Sequence, residues 1–237
     1  MTFRMVARVL VMAVLLLIYL PVYGLFRLFG GEYAVVQYYL SWVAWLLGLR
    51  ITVRGRPEYG SALYAANHVS WLDIPAIGGT VPARFIAKSE IADWSLIGWL
   101  AKLGGSVFVR RQKRSETREQ ADAVSVALTE GRPVVLFAEG GTGDGVALNP
   151  FRPSLFAAAN EAGVKVQPVV LDYGARQAEI AWPKGASFVD EMKRMLNRPA
   201  PVRLTLHFLP PLDGATVDRK RLAAETHSAV SAILGQA

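Results

Sequence analysis

Between Arg8 and Arg27 the chain runs eighteen residues without a formal charge, through Val9-Leu10-Val11-Met12-Ala13-Val14-Leu15-Leu16-Leu17-Ile18. As a helix that stretch would be about 27 Å long at about 1.5 Å per residue, close to the roughly 30 Å of bilayer hydrocarbon. A second uncharged run of seventeen residues separates Glu32 from Arg50. It reads as more interfacial, because Gln37 and Ser41 interrupt it and Tyr33, Tyr38, Tyr39, Trp42 and Trp45 stud it. Arg4 and Arg8 precede the first run and Arg50, Arg54 and Arg56 follow the second, whereas the connector holds only Arg27 and Glu32. The positive-inside rule therefore puts both flanks on the cytoplasmic side. The expectation is a membrane-associated helical hairpin over residues 1–49, spanning or re-entrant, with residues 50–237 as a cytoplasmic domain. A cleaved signal peptide fits poorly, since no small-x-small site precedes the second apolar run.

Past Arg50 the pattern alternates short β-rich runs with helical ones. Ile51–Val53, Ala62–Ala66, Arg84–Ala87, Ser106–Val109, Pro133–Phe137, Val164–Gln167 and Val202–Leu206 read as strands of one sheet, several apolar on both faces as a helix-covered sheet requires. Helices are expected near 95–103, 115–130, 153–162, 186–197 and 217–234. The second of these carries its own punctuation: Thr117 with Gln120 fits a capping box, Ala121, Val124, Ala127 and Leu128 form a stripe, and Gly131 closes it. The result is an α/β layered domain behind the hairpin.

Composition narrows the chemistry. The 237 residues include no cysteine, which removes disulfides, thiolate metal sites and a cysteine nucleophile together. A hydrophobic share of 52% against 19% charged residues is too oily for disorder, and a formal charge of +7 favours an anionic partner. There is no Gly-x-Ser-x-Gly elbow, His-Glu-x-x-His motif or P-loop, so no acyl-enzyme serine, thermolysin-like zinc or P-loop chemistry is indicated.

Three clusters remain. Asn67-His68-Val69-Ser70-Trp71-Leu72-Asp73 follows an apolar strand directly, where an α/β sheet presents its functional loops. On one helix His68 and Asp73 would stand about 140° apart, too far to pair. Pro75 is tolerated only in a first turn, so the helix should begin near Asp73 or Ile74 and leave His68 in the loop. Asp73 can then fold back, fix the imidazole tautomer and leave the other ring nitrogen to remove a proton. The plainer alternative makes Asp73 a helix N-cap and His68 a satisfied loop residue. A base without a protein nucleophile must act on a substrate hydroxyl or on water; Ser70 is a conceivable nucleophile, with no elbow around it.

The second cluster, Gly104 to Arg114, is a strand ending in Arg110, Arg111, Lys113 and Arg114. Such cations can grip phosphate, with Lys88 as a further contributor, although Lys113 and Arg114 read better as a solvated loop against anionic headgroups. Aromatic interleaving and recognition motifs are lacking, so nucleic acid is not expected. The third cluster, Phe137-Ala138-Glu139-Gly140-Gly141-Thr142-Gly143-Asp144-Gly145, offers glycines for close backbone approach and N–H groups for an anion, or simply a tight loop. Val166-Gln167-Pro168-Val169-Val170 is an apolar strand interrupted by proline, indicating an edge, a bulge or a docking wall.

Taken together, these blocks resemble the glycerolipid acyltransferases typified by bacterial 1-acylglycerol-3-phosphate acyltransferase. Asn67 to Asp73 is similar to the family's Asn-His-x-Ser-x-x-Asp, Gly105 to Arg111 to its Gly-x-x-Phe-[Ile/Val]-x-Arg, Phe137-Ala138-Glu139-Gly140 to the start of Phe-Pro-Glu-Gly-Thr-Arg, and Val166-Gln167-Pro168-Val169 to its fourth block. The resemblance covers about residues 55–175 in matching order and spacing. It implies a mixed sheet covered by helices and direct acyl transfer from acyl-CoA or acyl-carrier protein to a lysophospholipid hydroxyl at the bilayer, with no cofactor or metal. It also implies His68 as base and Asp73 as its orienter, with Arg111, Glu139 and Gly140 positioning the acceptor headgroup. The family's Thr-Arg is Gly141-Thr142 here, so phosphate recognition would lean on Arg111, Arg110 or Lys88. Relatives with Glu-Gly-Thr-Thr-Ser-Asp-Gly at this point include enzymes that acylate lyso-ornithine lipid, which makes that lipid the alternative acceptor to 1-acylglycerol-3-phosphate. A membrane-associated thioesterase or other hydrolase, and a non-enzymatic binder of anionic lipid, are the alternatives of other classes.

Overall fold

In a computed structural model, which describes residues 2–109, 117–183, 185–199 and 201–235, alternating side-chain direction along the strands divides the domain into two cores. Ala62, Tyr64 and Ala66 face one side of the sheet and Leu63 and Ala65 the other, and Val135 and Phe137 part from Val134 and Leu136 in the same way. All nine side chains are buried, the signature of a sheet covered by helices on both faces.

The strands are β1 (Leu49–Gly55), β2 (Ala62–Ala66), β3 (Arg84–Lys88), β4 (Val107–Val109), β5 (Val134–Phe137), β6 (Lys165–Asp172), β7 (Val202–Phe208) and β8 (Leu212–Asp213). The helices are α1 (Phe3–Arg27), α2 (Glu32–Leu46), α3 (Asp73–Thr80), α4 (Ser95–Leu103), α5 (Thr117–Thr129), α6 (Ala157–Ala162), α7 (Gln177–Ile180), α8 (Phe188–Asn197) and α9 (Arg219–Leu234). Sheet order is β1-β7-β6-β2-β5-β3-β4, with β8 also on β6. Among the described residues only the β6–β7 and β6–β8 pairs are antiparallel, so the sheet is mixed, as expected. Because β6, β2 and β5 are adjacent and parallel, their carboxyl ends bring three loops to one edge.

The expected elements fall at or near their places, with one correction. Pro168 lies on an interior strand, opposite Ala65 of β2, and not on an edge. It sits where the neighbour of β6 changes from β8 (Val166 opposite Leu212) to β7 (Val169 opposite Phe208), so its missing N–H falls at a break in the ladder. The Gln167 amide spans that break, donating to the carbonyls of Arg56 and Leu209. The capping box of Thr117 and Gln120, and Ala121 of the adjoining stripe, lie outside the residues whose side chains are described.

The hairpin packs against the domain. Met5, Ala44 and Leu47 are buried in the same core as Tyr64 and Phe137. Gly78 and Gly79 let α2 approach α3 closely: a Cβ on Gly79 would stand 2.8 Å from the Ser41 backbone, and one on Gly78 2.6 Å from Leu40. Ser41 donates to the Gly79 carbonyl at 2.5 Å and Gln37 to that of Thr80 at 2.9 Å. The two polar residues that made α2 look interfacial thus fasten it to α3, while Tyr38, Trp42 and Trp45 remain exposed. Tyr33 is clasped by the guanidinium of Arg132, 3.0 Å from its ring centroid, beside the Arg84–Glu130 ion pair.

Among the described residues α1 alone is long and apolar enough to cross a membrane. It touches the domain at both ends. Arg8 donates to the carbonyls of Met195, Leu196 and Arg198 at the end of α8, and the Tyr23 hydroxyl to that of Leu103 at the end of α4. Between these contacts Leu10, Val14, Leu17 and Ile18 face outward.

Candidate active site

The loop after β2 folds back on itself through one carboxylate. Asp73 Oδ2 accepts the backbone N–H of Val69 at 2.7 Å, that of Ser70 at 2.9 Å and the Nδ1–H of His68 at 2.8 Å. An N-cap would instead accept from residues downstream of itself. Asp73 reaches upstream and α3 is capped at Leu72, so the N-cap alternative does not describe it. The carboxylate is fully buried, and its other oxygen accepts the Tyr173 hydroxyl at 2.6 Å.

The rest of the loop is equally tied. Asn67 exchanges two hydrogen bonds with the Leu171 backbone, extending the link from β2 to β6. Gly143 N–H donates to the His68 carbonyl and Trp182 N–H to that of Val69. Ser70 is fully buried and its Oγ faces the Leu72 N–H, which removes it as a nucleophile.

The His68 ring lies flat on Phe137, centroids 3.8 Å apart and planes 12° apart. With Nδ1–H committed to Asp73, the neutral tautomer carries its lone pair on Nε2. Nε2 has no hydrogen-bond partner among the described residues, and the side chain is 16% exposed. The geometry suits a general base whose ring plane is set by Phe137 and whose tautomer is set by Asp73.

Glu139 comes to the same loop. Oε1 accepts the His68 backbone N–H at 2.7 Å, and Oε2 accepts the backbone N–H and side-chain amide of Asn149 at 3.0 and 2.8 Å. Its carboxylate is thus occupied in joining the loops after β2 and β5. The glycine loop likewise spends N–H groups on protein: Gly140 on the Phe137 carbonyl and Gly143 on that of His68. Gly145, at φ 75°, is required by packing, since a Cβ there would stand 2.7 Å from the Gln177 carbonyl. Asp144 accepts from Val146 and Ala147 N–H, which holds its carboxyl below the usual range.

Lys88 is exposed at the carboxyl end of β3, the edge that carries His68. Arg110 and Arg111, on which phosphate recognition was expected to lean, lie outside the described residues. Sequence reasoning missed two side chains. Tyr173 stands a hundred positions from Asp73, in no motif. Arg152 lays its guanidinium over Gly140, where a Cβ would be 3.3 Å from Cζ, so a later loop brings a cation to the glycine loop.

A helix-covered mixed sheet carries an aspartate-held histidine at the carboxyl ends of its central strands, an arrangement suited to moving a proton. The Acyltransferase family profile matches residues 50–172, and the chain belongs to that family. It is 36% identical over 200 residues to the lyso-ornithine lipid O-acyltransferase of Rhodobacter capsulatus, spanning 81% of this chain and 72% of that one. Over 128 residues it is 41% identical to the 1-acyl-sn-glycerol-3-phosphate acyltransferase of Neisseria gonorrhoeae, spanning 54% of this chain and 50% of that one. The crystal structure of the 1-acyl-sn-glycerophosphate (LPA) acyltransferase PlsC from Thermotoga maritima shares the fold, with a TM-score of 0.71, 22% identity and coverage of 98% and 97% of the two chains. The chain is therefore an acyltransferase, which sets aside the hydrolase and the non-enzymatic binder.

Proposed function

We propose that this acyltransferase esterifies the free hydroxyl of a lysolipid by direct transfer from a thioester. The carrying observation is the His68–Asp73 pair, 2.8 Å apart, with Nε2 left to the substrate. Nε2 removes the hydroxyl proton as the oxygen attacks the acyl carbon; the C–O bond forms, the C–S bond breaks, and the proton passes to the departing thiolate. Acyl-CoA and acyl-carrier protein both supply such a thioester. Asp73 balances the imidazolium charge while it lasts.

The acceptor favoured is lyso-ornithine lipid, whose headgroup presents a carboxylate and an ammonium. Gly141-Thr142 in place of Thr-Arg takes away one phosphate-holding cation, and the relatives that match over most of this chain include enzymes named for that lipid. The second reading, 1-acylglycerol-3-phosphate, is favoured by Lys88 and by Arg152 over Gly140, which together offer cations to a phosphate.

The bilayer is the natural source of either acceptor. With α1 tied to the domain at both ends and α2 seated on α3, the helix that starts at Asp73, the hairpin fits a re-entrant element dipping into one leaflet. The cationic flanks favour the cytoplasmic side for that leaflet. Offering the purified protein each lysolipid with one acyl-CoA tests the reading: the expected result is acylated lyso-ornithine lipid at a rate at least about tenfold above that for lysophosphatidate. Preference for lysophosphatidate selects the second reading, and acylation of neither refutes both.

A further inference from the structure

We infer that Tyr173 is a positioning residue of the reaction, donating a hydrogen bond that fixes Asp73 and sets how strongly Asp73 holds the charged imidazole. The inference rests on His68 being the base, as proposed above, and adds a third side chain to that pair.

Asp73 is fully buried, and its two oxygens are served unequally. Oδ2 accepts Val69 N–H, Ser70 N–H and His68 Nδ1–H, whereas the one donor to Oδ1 among the described residues is the Tyr173 hydroxyl at 2.6 Å. A buried carboxylate oxygen with no donor is costly, so this bond holds the carboxylate at a set rotation about Cβ–Cγ. That rotation keeps Oδ2 on the His68 side. Tyr173 is itself held: it follows β6 directly, is 4% exposed, and its backbone N–H donates to Gln177 Oε1 at 3.3 Å. Burial, and then the adjacent Asp73 charge, push its hydroxyl well above the usual tyrosine range, so it stays protonated and acts only as a donor.

The consequence for the reaction is electrostatic. Every donor to a carboxylate shares its charge, and a strong one at Oδ1 weakens the hold of Oδ2 on the imidazolium. The ionisable groups hydrogen-bonded to the His68–Asp73 pair among the described residues are Tyr173, from the end of β6, and Glu139, from the end of β5, which reaches His68 through its backbone N–H. Phe137 covers one ring face and carries no charge. Tyr173 keeps its proton throughout; the proton in transit goes from the acceptor hydroxyl to Nε2 and on to the thiolate sulfur.

The test is the pH profile of kcat/KM for lysolipid acylation by the full chain in detergent micelles. In Tyr173→Phe, which keeps the ring and loses the donor, Asp73 holds the imidazolium more tightly. The acid limb, below which the base is protonated, then moves up by about half a pH unit or more. Incorporating 3-fluorotyrosine at position 173 makes a stronger donor and moves the limb down. A purely structural role would lower activity at all pH values and leave the limb in place; that result, or two shifts in the same direction, overturns the inference. His68→Ala is run alongside. Full activity there would instead refute the base assignment itself, so the two failures are distinguishable.

Discussion

The carboxyl edge of the sheet and the seam between hairpin and domain use charge in opposite senses. At the edge, carboxylates gather backbone N–H groups: Asp73 takes Val69 and Ser70, and Glu139 takes His68 and Asn149. At the seam, guanidiniums gather carbonyls: Arg8 takes those of Met195, Leu196 and Arg198, and nearby Arg194 takes those of Glu179, Ile180 and Ala181. Helix ends leave carbonyls unpaired, and turning loops leave N–H groups. The difference lies in what remains. Arg8 makes structure alone, whereas the carboxylates at the edge hold a loop from which one basic nitrogen, His68 Nε2, still faces outward.

Substitutions at the two regions should therefore separate activity from stability. The largest effect is expected for Asp73→Asn, whose amide sets a donor against two backbone N–H groups or admits the wrong imidazole tautomer. Turnover should fall by about 10³–10⁴-fold, measured as kcat for acylated lipid. Glu139→Gln leaves one of three donors facing an amide N–H; the shifted His68 backbone should lower kcat by up to about 100-fold. A change in lysolipid KM with kcat intact would instead show Glu139 touching the headgroup.

At the seam, Arg8→Ala uncaps the end of α8. It should reduce stability by roughly 1–2 kcal/mol in denaturant titration while kcat stays within about twofold. A large loss of kcat without loss of stability would join the two regions that the comparison separates.

The smallest effect concerns His207, whose partly buried side chain is held below the ordinary histidine value of 6.5 by desolvation, with Asp172 opposing and Arg54 adding. Because the folded form binds its proton less readily, this site's contribution is full above about pH 6.5 and falls as pH drops through that value. His207→Gln should flatten the melting temperature across that interval; an unchanged slope would assign the acid sensitivity to another group.

Much of the fold was legible because apolar runs were bounded by clear stops. Ala62–Ala66 and Ser95–Leu103 fall where the sequence places them, and Pro75 located the start of α3. Pro168 misled because sequence cannot show that β6 changes partner at that residue. The partners of Gln37 and Ser41 were not legible, because a polar residue in an oily helix looks the same whether it meets headgroups or the carbonyls of α3. At the site, local spacing carried His68 and Asp73, since the loop and its helix start are consecutive in the chain. Tyr173 and Arg152 arrive from other loops, brought close by strand order, and no local pattern encodes that proximity.

Acylation of lysolipid by His68→Ala, with acylated lipid and free fatty acid measured together, tests the central claim most directly. The account predicts a fall in acylated lipid of about 10²–10⁴-fold with membrane binding retained and no compensating rise in free acid. Turnover close to that of the unaltered chain would contradict it.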